Sequence, residues 1–146
     1  MMRLLRLLRA NEVARSVFDI DYERLWSKGA RALLFDLDNT LGRRGSKSLG
    51  DEARRLLADL ELRGFRIGIL TNRKRRRRNE LAQQLAKEFT VLDVARKPHR
   101  AGFASVLAQL GQLPAGAAMI GDRRFTDILG ANRSGIYSIR VRGFHH

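Results

Sequence analysis

Residues 33–41, which read LLFDLDNTL, decide the fold of this chain. An apolar run enters the segment, and two acidic residues, Asp36 and Asp38, stand one position apart where the run ends. An apolar run that ends in charges is typical of a buried strand whose carboxyl end opens on solvent. In open α/β sheets, ligand sites lie outside the carboxyl ends of the strands. The segment therefore predicts a strand that carries two carboxylates to a functional site.

Strands and helices alternate along the rest of the chain. The apolar patterns predict strands at residues 31–37, 65–70, 90–95, 117–120 and 136–141, with helical segments between them. Such alternation favours a parallel sheet with helices on both faces. We predict one α/β domain over residues 1–146, with a doubly wound, Rossmann-type sheet of five parallel strands.

The composition is that of a globular and strongly basic protein. The 146 residues are 44% hydrophobic and include no cysteine, which excludes disulfides and thiolate metal sites. No apolar run approaches the length of a membrane-spanning helix, and we expect a cytoplasmic protein. The formal net charge of +14 favours anionic partners, namely nucleic acid, an acidic membrane surface or phosphorylated substrates.

Residues 3–9 predict a short amphipathic helix. Leucines and arginines fall on opposite arcs of this helix, with Leu4, Leu5, Leu7 and Leu8 on one arc and Arg3, Arg6 and Arg9 on the other. Two interpretations remain open at this point. The leucine face either packs on the domain itself or lies on a membrane surface.

Each of the first four predicted strands ends in a polar residue of chemical interest. These residues are Asp36 with Asp38, Thr71, Lys97 and Asp122. The carboxyl ends of parallel strands share one edge, so these side chains should meet at one site. One carboxylate can act as a nucleophile that forms an acyl phosphate, and a second can act as general acid and base. Carboxylate oxygens suit Mg²⁺, and a lysine with a hydroxyl can neutralise phosphoryl oxygens, so the set indicates phosphoryl transfer.

The motifs resemble those of the haloacid dehalogenase (HAD) superfamily of phosphatases. They read DLDNT at residues 36–40, TN at 71–72, KP at 97–98 and GDRRFTD at 121–127. A lone Asp-x-Asp-x-Thr is a modest signal, but four motifs in the family's order are specific. More narrowly, the chain is similar to the YqeG-type proteins of subfamily IIIA, whose mitochondrial relatives dephosphorylate phosphatidylglycerophosphate.

The resemblance implies a role for each acidic residue of the motifs. Asp36 would be the nucleophile and a Mg²⁺ ligand. Asp38 would be the general acid and base, with its backbone carbonyl on the metal. Asp122 would also bind Mg²⁺, and Asp127 would support that site from nearby.

The resemblance also implies a phosphate-binding set. Thr71 would bind the phosphoryl group through its hydroxyl, helped by Asn72, and Lys97 would hold the phosphate and the Asp36 carboxylate. Taken alone, Thr71 could simply cap the next helix, and Lys97 could be a solvated lysine before a proline turn. The matching order of the motifs favours the functional interpretation.

Many members of this superfamily carry a cap domain inserted after the first motif or between the second and third. Here the two gaps span residues 41–50 and 73–96, which leaves no room for a cap, so we expect a capless protein with an open site. Basic residues should form an anionic-surface or substrate-binding rim around it, namely Arg43, Arg44, Arg73, Lys74 and Arg75.

These observations predict a Mg²⁺-dependent phosphomonoester hydrolase that forms an aspartyl-phosphate. We expect it to act on phosphatidylglycerophosphate, as a peripheral protein of the inner membrane surface. The alternatives are a phosphatase of a soluble phosphoester and a basic module that binds RNA or another anion on the same fold. Aromatic residues are few near the basic runs, which disfavours stacking on nucleic acid bases. An open site is also compatible with closure by another subunit in an oligomer.

Overall fold

One parallel sheet organises the chain. The computed structural model describes residues 2–72, 80–93 and 95–144. Its strands are β1 (Glu12–Ala14), β2 (Ala32–Phe35), β3 (Arg66–Leu70), β4 (Thr90–Leu92), β5 (Ala117–Gly121) and β6 (Tyr137–Val141). They lie in the order β1-β6-β5-β2-β3-β4, and every neighbouring pair is parallel. The predicted doubly wound α/β fold is confirmed, with six strands in the described residues instead of five.

Six α-helices connect or flank these strands in the part of the chain that is described. They are α1 (Met2–Leu7), α2 (Tyr22–Ser27), α3 (Asp51–Leu62), α4 (Glu80–Leu85), α5 (Arg100–Leu110) and α6 (Leu129–Arg133). A π-helical turn over Arg124–Ile128 leads directly into α6. The helical segment predicted between the last two strands is therefore a π-helical turn of wider radius followed by a short α-helix.

The additional strand, β1, lies at one edge of the sheet. It pairs only with β6, with Glu12 opposite Ile139 and Ala14 opposite Val141. Three residues carry too little periodicity for a strand to be recognised from the sequence. The strand instead takes its conformation from its pairing with β6.

The central strand β2 contributes to the packed layers on both faces of the sheet. All four of its residues are fully buried. Leu33 and Phe35 pack in a cluster with residues of α2, α3 and α4, whereas Ala32 and Leu34 pack with residues of α5 and α6. Successive side chains of a strand point to opposite faces, so one short apolar run can serve two layers. This double burial fixes the end of β2, where the predicted site begins.

The predicted amphipathic helix exists as α1 and is attached through its carboxyl end. The Asn132 side chain donates hydrogen bonds to the backbone oxygens of Leu7 at 2.7 Å and Arg9 at 2.9 Å. No residue of α1 is buried, and Leu4 and Leu5 remain 47% and 62% exposed. These two leucines therefore remain exposed, whereas Leu7 and Leu8 are half-buried. Across the described ranges, no helix combines the length and apolar character needed to cross a membrane.

Candidate active site

The predicted motif residues meet at the carboxyl ends of the central strands. Asp36 follows β2, Thr71 follows β3 and Asp122 follows β5. A cavity of about 740 Å³ opens at this edge of the sheet, and Asp36, Asp38, Thr71, Asn72 and Lys97 lie in its wall. One cavity thus brings together residues that are far apart in the sequence.

Lys97 is a buried cation at the centre of the site. Its Nζ donates hydrogen bonds to Asp36 Oδ1 at 2.7 Å, to Asp127 Oδ1 at 2.6 Å and to the backbone oxygen of Leu70 at 2.9 Å. Burial alone would lower the pKa of this ammonium, but the charges of Asp127 and Asp36 outweigh burial and raise it. Lys97 is therefore charged at neutral pH and joins two carboxylates that would otherwise repel each other.

Asp36 is held at the floor of the cavity by the strand that precedes it. Its backbone N–H donates to the oxygen of Ile120 at 2.9 Å, and its Oδ2 accepts a long hydrogen bond of 3.5 Å from the Thr40 hydroxyl. Burial, and then the negative charge of Asp127, raise the pKa of Asp36 to about 6, although Lys97 acts in the opposite direction. A cation close to Asp36 would favour its ionised form.

Three carboxylates converge on a region that could hold a metal ion. One oxygen each from Asp36, Asp122 and Asp127 lies within 4.8 Å of the others. The buried Oδ1 of Asp122 has no hydrogen-bond partner in the described structure, and burial raises the pKa of this carboxyl group. An unpartnered buried oxygen beside two further carboxylates fits a hard divalent cation such as Mg²⁺.

The turn after Asp38 contains a residue that the sequence interpretation missed. Asn39 has a left-handed backbone with φ of 58°, a conformation that asparagine tolerates better than most residues. Its Nδ2 donates to Asp122 Oδ2 at 3.1 Å, and its Oδ1 accepts from the N–H of Phe144 at 3.3 Å. Asn39 therefore orients one carboxylate of the cluster. An asparagine in the turn after a strand end was the signal that could have identified it.

Asp127 lies in a space that only a glycine at position 121 leaves free. Its Oδ2 accepts a hydrogen bond from the backbone N–H of Arg123 at 3.2 Å, and its side chain is fully buried. A Cβ atom on Gly121 would lie 2.3 Å from Asp127 Oδ2. The glycine of the Gly-Asp motif is thus required by the close approach of a carboxylate.

The two residues after β3 have different functions in the local structure. The Thr71 side chain is buried in the cavity wall, and its backbone bonds to Leu92 and Ala95 on the neighbouring segment. The Asn72 side chain accepts from the N–H of Lys97 at 2.8 Å and donates to its carbonyl oxygen at 2.9 Å. Asn72 therefore positions Lys97, and its predicted contact with phosphate stays a prediction.

The loop after the first motif forms one side of the cavity. Asp38 Oδ1 accepts a hydrogen bond from the N–H of Gly45 at 3.1 Å, which holds the loop against the motif. Arg44 and Lys47 from this loop line the cavity, together with Arg123, a residue that the sequence interpretation did not single out. Arg43 is exposed and is not among the described residues of the wall.

Part of the predicted basic rim cannot be placed. Arg73, Lys74 and Arg75 lie outside the described residues. In the described part of the chain, the gap after the first motif holds only the loop over 42–50, as expected for a capless protein.

Several known proteins are similar to this chain in sequence. A family signature described as haloacid dehalogenase-like hydrolase matches residues 43–135, more than half of the chain, beginning after Asp36 and Asp38. The probable phosphatase YqeG of Bacillus subtilis is 27% identical over 131 residues, which cover 90% of this chain and 75% of that protein.

Two solved structures show the same fold. A HAD phosphatase from Thermococcus onnurineus superposes with a TM-score of 0.61 at 20% identity, covering 75% of this chain and 85% of that one. A HAD-superfamily hydrolase from Ehrlichia chaffeensis gives a TM-score of 0.62 at 18% identity, covering 77% of this chain and 88% of that one. The sheet and its helices are therefore shared with proteins of very different sequence.

Proposed function

The chain belongs to the haloacid dehalogenase-like hydrolase family, and we propose that it is a Mg²⁺-dependent phosphatase that forms an aspartyl-phosphate on Asp36. The observation that carries this proposal is the position of Asp36. Its carboxylate lies at the floor of the cavity, 2.7 Å from the Lys97 ammonium and close to the carboxylates of Asp122 and Asp127. A nucleophile for phosphoryl transfer needs this access to substrate together with positive charge beside it.

In the first step, a carboxylate oxygen of Asp36 would form a bond to the phosphorus atom of a phosphomonoester. The bond from phosphorus to the ester oxygen breaks, and Asp38 donates a proton to the departing alcohol. In the second step, Asp38 accepts a proton from a water molecule as that water attacks the phosphorus, which releases inorganic phosphate and restores Asp36. The hydrogen bond from Gly45 to Asp38 would keep the acid and base oriented towards the cavity.

The carboxylates of Asp36 and Asp122 would hold the Mg²⁺ ion, with the backbone carbonyl of Asp38 as a further ligand and Asp127 in support. The unpartnered Oδ1 of Asp122 favours this assignment. When bound, Mg²⁺ would offset the negative charges of the phosphate and the carboxylates. Lys97 and the Thr71 hydroxyl would neutralise and orient the phosphoryl oxygens.

We propose a lipid phosphomonoester with a second anionic group as the substrate. Arg44, Lys47 and Arg123 line the cavity in addition to Lys97, beside the acidic residues Asp36, Asp38 and Glu80. Three basic side chains other than the buried lysine could therefore contact a second anionic group. Phosphatidylglycerophosphate carries a phosphodiester beside its terminal phosphomonoester and matches this pattern. The similarity to YqeG-type, subfamily IIIA proteins supports the same substrate, and an open, capless site suits a head group presented on a surface.

A substrate panel tests this proposal. Phosphate release would be measured from phosphatidylglycerophosphate in mixed micelles, from glycerol 3-phosphate and from p-nitrophenyl phosphate, each with Mg²⁺ and with chelator. We expect Mg²⁺-dependent hydrolysis of all three, with kcat/KM for the lipid about tenfold or more above that for glycerol 3-phosphate. Equal or better hydrolysis of the soluble ester would favour a phosphatase of soluble substrates.

Two matched variants sharpen the test. Arg123→Ser should raise KM for the lipid roughly tenfold while changing KM for p-nitrophenyl phosphate much less, because only the lipid carries the second anion. Arg55→Ser removes an exposed arginine from α3, a helix with no described residue in the cavity wall, and should change neither value.

A further inference from the structure

The exposed apolar residues of the protein are concentrated at one place. Two of the exposed large apolar side chains in the described ranges are separate leucines, Leu62 and Leu113. The others form one group of residues: Met2, Leu4, Leu5, Val13 and Phe125. Leu5, Val13 and Phe125 line a single groove of about 550 Å³ and are 62%, 50% and 66% exposed. We call this groove, with the exposed leucines of α1, the N-terminal apolar face.

This face is attached to the domain by hydrogen bonds although it is not covered. Asn132 donates to the backbone oxygens of Leu7 and Arg9, and the Ser138 hydroxyl donates to Asn132 Oδ1 at 2.7 Å. The network ties the end of α1 to α6 and β6, while Leu5 faces solvent. A contiguous apolar patch that is positioned by specific hydrogen bonds and left exposed is typical of an interaction surface.

The residues around the face are mainly positive. Arg9, Arg124 and Arg140 line the groove, and none of them forms an ion pair within the described part of the chain. The acidic residue of the groove, Glu12, is already paired with Arg24. Apolar side chains surrounded by unpaired arginines complement the headgroup region of an anionic bilayer.

The face is adjacent to the catalytic cavity. Four consecutive residues at the start of the π-helical turn, 123–126, contribute to both. Arg123 and Thr126 line the cavity, whereas Arg124 and Phe125 line the groove. A surface bound at the groove would therefore lie beside the mouth of the cavity. This arrangement would bring Asp36 near phosphate groups that project from that surface.

We propose that the N-terminal apolar face docks on an anionic phospholipid bilayer. Leu5, Val13 and Phe125 enter the headgroup region, and Arg9 and Arg124 contact lipid phosphates. This inference rests on the proposed function only in assigning a lipid as the substrate. Docking itself requires no catalysis, so binding and hydrolysis can be tested separately.

The test is sedimentation of the full chain with vesicles of phosphatidylglycerol and phosphatidylcholine, and with vesicles of phosphatidylcholine alone. We expect binding to the anionic vesicles at low salt that weakens as salt screens the arginines. Leu5→Glu and Phe125→Glu should each weaken binding about tenfold or more, since a charge replaces an apolar group at the bilayer surface. Leu62→Glu and Leu113→Glu are matched controls, because they place the same charge at exposed leucines elsewhere, and should bind like the wild type.

Hydrolysis of p-nitrophenyl phosphate by the same variants distinguishes the two claims. Leu5→Glu should retain this activity while losing vesicle binding. If the wild type hydrolyses the soluble ester but stays in the supernatant with anionic vesicles, docking is overturned and the phosphatase remains. If vesicles bind through this face but no phosphomonoester is hydrolysed, docking stands and the proposed function fails.

Two further outcomes would overturn the docking proposal. One is binding that is insensitive to Leu5→Glu and Phe125→Glu but lost when the arginines at 75–78 are replaced by serine. The other is a wild-type dimer, detected by light scattering, that Leu5→Glu dissociates and that does not bind vesicles. In the second case the face is an interface between two copies of the chain.

Discussion

Asn72 holds the backbone of Lys97 by both of its polar groups. The N–H of Lys97 donates to Asn72 Oδ1 at 2.8 Å, and Asn72 Nδ2 donates to the carbonyl oxygen of Lys97 at 2.9 Å. The Thr-Asn motif at 71–72 therefore fixes the position of the Lys-Pro motif at 97–98, across 25 residues of chain. The fixed backbone places the Lys97 ammonium between the carboxylates of Asp36 and Asp127.

Replacing Asn72 should reduce activity more than stability. Asn72→Ala removes both hydrogen bonds, and we expect kcat/KM for p-nitrophenyl phosphate to fall about 10- to 100-fold because the Lys97 ammonium loses its exact placement. The free energy of unfolding should fall by only about 1–2 kcal/mol, as expected for hydrogen bonds at a partly exposed site. Steady-state kinetics and urea unfolding measure the two effects.

A second asparagine provides the control for this variant. Asn11 accepts a hydrogen bond from the N–H of Ser138 at 2.9 Å, away from the catalytic cavity. Asn11→Ala should cause a similar loss of stability with activity on the soluble ester unchanged. An equal loss of activity in both variants would contradict the positioning role of Asn72.

The sequence predicted the central elements because their signals are local. The apolar run of β2 followed by Asp36, and the end of β5 followed by Asp122, can be recognised within a few residues. The convergence of these ends follows from parallel topology, so the location of the site was also predictable.

The parts that sequence reasoning missed depend on contacts between distant segments. The edge strand β1 exists through its pairing with β6, and Asn39 matters because its side chain reaches Asp122. The bonds from the Asn72 side chain to the backbone of Lys97 could not be predicted, because they join segments 25 residues apart. The outward orientation of Leu5 likewise follows from the hydrogen bonds that anchor the end of α1.

A methyl group at position 121 should disrupt the carboxylate cluster. Because a Cβ on Gly121 would lie 2.3 Å from Asp127 Oδ2, Gly121→Ala must displace Asp127 from Lys97. We expect a loss of about 1–3 kcal/mol in the free energy of unfolding, typical of overpacking, and weaker stabilisation by Mg²⁺ in thermal melts. Gly50→Ala is the control, since a Cβ there meets nothing within 4 Å. Unchanged stability and Mg²⁺ response in Gly121→Ala would show that Asp127 is free to move.

The raised pKa of Asp36 predicts how the stability of the metal-free protein depends on pH. The folded state binds the Asp36 proton more tightly than the unfolded state, because its pKa in the folded protein is about 6 and its ordinary value is 3.8. This contribution to stability is fully present below pH 3.8 and is lost as pH rises through about 6. Asp36→Asn mimics the neutral form of the carboxyl group. Its free energy of unfolding should therefore equal that of the wild type at low pH and be larger than that of the wild type at neutral pH.

The pKa shift of Asp36 sets how much more stable Asp36→Asn should be than the wild type. This difference in the free energy of unfolding should grow between pH 4 and 7 towards an upper limit of about 3 kcal/mol, measured by denaturant unfolding in chelator. Added Mg²⁺ should reverse the order at neutral pH, because it stabilises only the protein with the ionised carboxylate. A wild type that stays more stable than Asp36→Asn at pH 7 in chelator would contradict the assigned shift.

The most direct measurement is chemical identification of the residue that accepts the phosphoryl group. The Asp38→Asn variant lacks the proposed acid of the first step and base of the second. With p-nitrophenyl phosphate, whose leaving group departs without a proton, the first step proceeds without that acid, so the aspartyl-phosphate should accumulate in the presence of Mg²⁺. Acid quenching and borohydride reduction convert an aspartyl-phosphate to homoserine, and mass spectrometry of the tryptic peptide over 32–43 locates the change. We predict homoserine at position 36, dependent on both Mg²⁺ and substrate. Homoserine at another position, or a phosphorylated residue other than Asp36 in an active sample, would contradict Asp36 as the nucleophile.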